Sequence, residues 1–201
     1  LIAYKFLCDG SVGRFSEFRW PVPNGDSAGE WVEVDGELEE CLTGIHACRV
    51  EDLPGWIDDE LWEVELGGAV VELSSGVAAR RGRLTRRIEA WNGDAAAEFA
   101  SACAERAREL VAAGATGEAP AFAADADALV AGRRPEMWDE RFAAPPQSPS
   151  ATAANLGFVV AHAAGNAALE RAGDADAYAE AFAAERAWQV DWLAERLGLT
   201  R

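Results

Sequence analysis

The hydrophobic pattern changes period once along this chain, near residue 90. Before that point apolar positions recur at every second residue, the spacing of strands whose two faces meet different surroundings. After it, alanine-rich stretches recur at the spacing of a helix. Leu1 to Leu7 is apolar on both faces except at Lys5 and predicts a first strand, followed by turn chemistry in CDGSVGR. Two prolines and Asn24-Gly25 make the stretch from Trp20 a loop. Trp31 to Val34 predicts a short strand. In Thr43 to Cys48 the period of two places Ile45 and Ala47 on one face and Gly44, His46 and Cys48 on the other.

Val50 to Ile57 predicts a helix of one or two turns, with Glu51 and Asp52 favouring its N-terminus and Pro54 expected in its first turn. From Leu61 to Leu66, Trp62, Val64 and Leu66 should face a core while Glu63 and Glu65 face water. Gly67-Gly68 is expected to turn the chain into Ala69 to Leu73, and Val77 to Ile88 supplies one or two further strands. Beyond Trp91, Asp94 is expected to cap a helix to about Ala113, with Phe99, Cys103, Ala107 and Leu110 on its core face and Gly114 as its stop. Short helices are expected near Asp125 to Val130 and Glu136 to Phe142, then a loop APPQSPS. Ser150 should cap a helix to about Ala172. Asp174 should cap the last, to about Leu197, with Tyr178, Phe182, Val190, Leu193 and Leu197 inward.

The fold class these elements predict is α+β: a small, mostly antiparallel sheet with one short helix over residues 1–90, then an all-helical region over 91–201 packed against it as one unit. At 201 residues, half of them apolar, the chain can bury a core without metals or disulfides. No uncharged apolar stretch approaches the roughly 18 residues of a membrane span, so no membrane partner is expected. The opening LIAYKFL has neither a basic region nor a cleavage site, which points to a cytoplasmic protein whose four cysteines are reduced.

Charge narrows the partners. The net charge of −17, from 35 acids against 18 bases, repels phosphate and argues against nucleic acid. Seventeen of the bases are Arg, and with abundant Ala and Gly this reflects GC-rich codons rather than phosphate recognition.

Four groups of residues carry candidate chemistry. Cys41, His46 and Cys48, with Cys8 from a neighbouring strand, offer thiolates and an imidazole to zinc, but C-x4-H-x-C lacks the close thiolate pair of a zinc knuckle, and no metal is expected. Cys48 as nucleophile with His46 as base meets a geometric objection, because side chains at i and i+2 of a strand stand parallel. The plainer role for His46 is a half-buried strand residue bonded to a backbone carbonyl. Arg80, Arg81, Arg83, Arg86 and Arg87 form the basic cluster, either an anion clamp or an outward face neutralised by acids on neighbouring strands. On the helix after Ser150, Asn155, His162 and Asn166 fall within about 40° of one another, a polar stripe that lines a cavity or faces water.

Tyr4-Lys5, the run from Cys41 to Cys48 with its Gly-Ile-His-Ala-Cys core, and Trp62 to Gly68 resemble an uncharacterised N-terminal domain of phage and high-GC bacterial proteins, over residues 1–90. The resemblance implies a shared fold and no assigned activity. The order of strand, histidine, helix and strand also resembles the core of ADP-ribosyltransferases, in which a strand histidine holds the ribose of NAD; no tyrosine lies downstream here before Tyr178. The function expected is binding of a small molecule or a protein in a groove beside His46, with Cys48, the arginines and the polar stripe as further ligand candidates. The alternative is an enzyme using His46 with Arg80 to Arg87 as anion clamp. No cofactor is implied.

Overall fold

The computed structural model describes residues 1–25, 27–40, 42–133 and 148–200. The fold is α+β, as the pattern predicts. The chain divides into two compact units, the first comprising Leu1–Asn92 with Ala194–Arg201 and the second Gly93–Leu193. One of the two junctions between the units falls between Asn92 and Gly93.

The first unit is a five-stranded antiparallel sheet: β1 (Ile2–Leu7), β2 (Val32–Glu33), β3 (Ile45–Ala47), β4 (Glu60–Leu73) and β5 (Gly76–Arg87). The long β4-β5 hairpin is its centre, with β1 on the free side of β4 and both β2 and β3 on β5. The circuit closes where Tyr4 and Cys48 exchange backbone hydrogen bonds, Tyr4 N–H to Cys48 O at 2.8 Å and Cys48 N–H to Tyr4 O at 2.7 Å. The strands thus enclose a core of Ala3, Leu7, Ile45, Trp62, Val64 and Leu84, completed by Trp20 from a loop. Glu63 and Glu65 alternate away from it, as the period of two requires.

Gly67-Gly68 does not turn the chain. β4 runs through both glycines with a register shift between Gly67 and Val70, and the hairpin turns at Ser74-Ser75. Gly68 takes φ +72, and a Cβ there would stand 2.9 Å from that of Arg80, so this pair bends the strand where a side chain would collide. The short helix over Val50–Gly55 is a 3-10 helix, with Pro54 buried at its fifth residue rather than in its first turn. The Asp52 carboxylate accepts the Arg49 N–H at 3.0 Å, which satisfies a donor left over at its start.

The second unit contains α1 (Gly93–Ala112), α2 (Ala119–Val130), α3 (Pro149–Ala172) and most of α4 (Ala175–Leu197). Phe99, Cys103 and Ala107 are buried along α1, and Gly114 beyond it takes φ +88. Alanines and Gly157 let α1 and α3 approach closely, the benefit of small side chains at a helix contact. Three boundaries differ from the sequence reading. α1 begins at Gly93, so Asp94 lies inside its first turn rather than at its cap. α2 begins six residues before Asp125, with Pro120 tolerated in its first turn. The cap of α3 is Ser148, whose Oγ accepts the Ala151 N–H at 3.2 Å, while Ser150 lies inside the helix. Asp174 caps α4 as expected, through the Ala177 N–H at 2.8 Å. The helix expected over Glu136 to Phe142 and most of the APPQSPS loop lie outside the described residues, as does Cys41. No described helix is long and apolar enough to cross a membrane.

Candidate functional site

In the register of β1 on β4, Lys5 stands opposite Trp62, so it shares the inner face with Ala3 and Leu7. The alternation that makes the core thus carries one cation into it. Its Nζ donates to the His46 carbonyl at 2.6 Å and lies 5.2 Å from the centre of the Trp20 ring. Burial pushes the Lys5 ammonium down to about 8. Among the described residues no carboxylate pairs with it. Lys5 is also the only lysine in the chain.

A groove of about 860 Å³ opens beside Lys5 and His46, walled by Phe18, Trp20, Leu42, Ile45 and Trp56. This is the volume of a site for a drug-sized molecule, and its lining is mostly apolar with few polar groups. In the second unit a shallow depression of about 480 Å³ is lined by Ala168, Ala172, Ala177, Ala181, Arg171 and Glu180; it encloses nothing comparable.

His46 borders the groove, but its ring is occupied. Nδ1 lies 3.1 Å from the Gly44 carbonyl and Nε2 lies 3.3 Å from that of Glu39. The imidazole thus reaches from Gly44 to Glu39. Cys48 is buried, its thiol donates to the Tyr4 carbonyl at 3.3 Å, and burial with the nearby Asp52 charge pushes it up to about 12. A thiol so protonated is a poor nucleophile. Cys8 instead contacts Asp58, and Cys8, Cys48 and Cys103 are all free cysteines.

Two buried carboxylates fix the loop over 8–19 that borders the groove. Glu60 accepts the Gly10 N–H at 3.2 Å, the Ser11 hydroxyl at 2.8 Å and the Trp62 indole N–H at 2.9 Å. Ser11 is held at φ 59, a backbone region that side chains other than glycine rarely adopt. Asp58 receives Arg14 Nε at 2.8 Å and the Cys8 thiol at 3.4 Å. Each acid is about 5% exposed and each is satisfied by several donors, the condition for keeping a charge inside.

The arginines of β5 lie away from this groove. Arg83 pairs with Glu65 at 2.7 Å and Arg86 with Glu63 at 2.9 Å, across the hairpin. Arg81 and Arg83 both stand 4.6 Å from the Trp31 ring centre, on the outward face. Arg80 donates to the Val34 carbonyl at 3.3 Å.

The polar stripe of α3 belongs to the second unit. His162 Nδ1 lies 2.5 Å from the Tyr178 hydroxyl, and its ring packs against Phe158 and Phe182 at 4.1 and 5.0 Å between centres. Burial lowers its pKa, with the Arg186 charge adding to the effect. Gly165 makes room, since a Cβ there would stand 2.6 Å from the Tyr178 ring. Asn166 donates to Glu118 at 3.2 Å, and Asn155 is half-buried. The stripe joins three helices of its own unit.

Lys5, Asp58, Glu60 and Trp20 are not among the ligand or catalytic candidates read from the sequence. A signal for Lys5 was present: it is the one charge in a run apolar on both faces, so one core face had to accept it. Asp58 and Glu60 gave none, because they sit in an acidic run that reads as solvated. No protein-family model, curated protein or solved structure matches the chain.

Proposed function

We propose that the first unit binds a small, largely apolar molecule in the groove beside His46. The observation that carries this reading is the groove itself: about 860 Å³ walled by aromatic and aliphatic side chains, beside an ammonium that no described carboxylate pairs. The loop over 8–19 is anchored by Glu60 and Asp58, so part of the wall is set before a ligand arrives and little ordering cost falls on binding. His46 supports the site through its main chain and its occupied ring rather than as a base. Nucleic acid is a poor candidate at a net charge of −17. The three free thiols agree with a cytoplasmic setting, where they stay reduced.

The test is a titration of the isotope-labelled protein with a neutral probe, 4-phenylbutan-1-ol, followed by amide NMR. Saturable shifts at Ile45, Ala47 and the Trp20 indole are expected. Shifts confined to other residues, or none that saturate, overturn the reading.

A further inference from the structure

Lys5 is the feature of the groove that its shape does not explain. A methionine would fill the same stem volume without desolvating a charge, and a half-buried ammonium with no anion beside it among the described residues bears a desolvation cost. One of its three N–H donors reaches the His46 carbonyl, and the Trp20 ring face takes part of the charge. Its other two donors have no acceptor among the described residues.

The other ionisable groups of the lining are Tyr4, Arg14, Glu33, His46, Cys48 and Asp58. Arg14 and Asp58 neutralise each other at 2.8 Å. The Glu33 side chain is largely exposed and lies near Arg81 at 3.8 Å. Burial raises both Tyr4 and Cys48, so each stays neutral at pH 7. Among the described residues, that leaves Lys5 as an ammonium with no paired anion within an apolar wall.

We infer that the ligand is a small organic acid whose carboxylate pairs with Lys5 while its apolar body lies against Trp20, Ile45 and Trp56. This rests on the small-molecule reading of the groove. An N⁺–H···O⁻ bond formed away from water is about twice as strong as a neutral one. The carboxylate would also supply the counter-charge the fold withholds. The apolar lining then selects the body of the ligand, and the single ammonium selects its head.

The experiment compares 4-phenylbutyrate with 4-phenylbutan-1-ol, which share a body and differ at the head, on the full chain at pH 7. Because Lys5 is the only lysine, ¹³Cε-lysine labelling gives one resonance that reports its ionisation directly. The acid is expected to bind at least tenfold more tightly than the alcohol, and to move that resonance's titration to higher pH. In Lys5→Met the preference should vanish while alcohol binding survives. If the alcohol binds the wild-type protein as tightly as the acid, with the lysine titration unmoved, the carboxylate assignment is wrong and the groove reading stands. If neither binds, both fall. The wild-type lysine titration decides the question even where the variant folds poorly.

Discussion

Gly76 and Ala47 touch so closely that a Cβ on the glycine would stand 2.4 Å from the alanine carbonyl oxygen. Gly76 opens β5 at φ +146, and the contact seats the end of β3 against the β4-β5 turn. Gly76→Ala combines a backbone conformation closed to side chains with a collision against main chain that cannot rotate away. We expect a loss of about 3 kcal/mol by urea denaturation. Gly173→Ala supplies the control: its φ is +79 with nothing within 4 Å of the added carbon, so only conformational strain remains, about 1 kcal/mol. Equal losses in the two variants would show that the contact with Ala47 is immaterial.

The Lys5 ammonium ties stability to pH. Its ordinary value of 10.5 falls to about 8 in the fold, so the folded state binds the proton less tightly than the unfolded one. Below about 8 both states are charged and folding bears the full cost, about 3 kcal/mol for a shift of this size. Between about 8 and 10.5 the folded lysine is neutral while the unfolded one stays charged, so the cost fades as pH rises. Lys5→Met should therefore be more stable than wild type at pH 7 by about 2 kcal/mol, allowing about 1 kcal/mol for the lost bond to His46. That advantage should shrink by about 2 kcal/mol at pH 9.5. Denaturant titrations of both proteins at the two pH values check it, and a gap independent of pH would show that the ammonium is well solvated.

Glu60→Gln replaces an acceptor of three donors by a group that accepts through one oxygen and presents an NH2 to the rest. With Gly10, Ser11 and Trp62 all donating, at least one donor is left facing another. We expect a loss of about 1 to 3 kcal/mol and faster amide hydrogen exchange over the 8–19 loop. Unchanged exchange there would show that the carboxylate does not hold the loop.

In the second unit, Glu185 is 3% exposed and receives Arg106 Nη2 at 2.9 Å, while its Oε1 has no hydrogen-bond partner. Burial pushes its carboxyl above the usual range. Arg106→Leu leaves a buried carboxylate uncompensated and should cost about 3 to 5 kcal/mol at pH 7. Adding Glu185→Leu should recover most of that loss, since two apolar groups often replace a buried pair without penalty. A double variant no more stable than Arg106→Leu would mean that the pair itself, rather than desolvation, decides stability here.

The strands and helices were legible wherever one face is buried and the other wet. Trp62, Val64 and Leu66 faced inward on β4, and Phe99, Cys103 and Ala107 on α1, because the period alone determines those faces. Gly67-Gly68 misled because two glycines serve a bend as well as a turn, and what distinguishes them is Arg80, a neighbour supplied by pairing. Ser148 and Ser150 both suit a cap, and local chemistry does not choose between them. His46 drew notice as one of two histidines, yet the charge beside the groove that no described carboxylate pairs is Lys5, 41 residues away in sequence and brought beside the His46 carbonyl by the closure at Tyr4 and Cys48. Buried polar residues such as Glu185 and Gln189 escaped notice because charge patterns on helices usually describe wet faces.

The pair of bonds between Tyr4 and Cys48 also governs how this unit assembles in time. Residues 44 apart must meet to make it, and β1 must first find β4 from the far end of the unit. The β4-β5 hairpin needs only its own turn. Loop-closure entropy therefore orders the events, with the hairpin early and the ring last. Lys5 meets the His46 carbonyl only at that final step, so its half-buried charge acts late: it bears on how readily the ring reopens more than on how fast the hairpin forms.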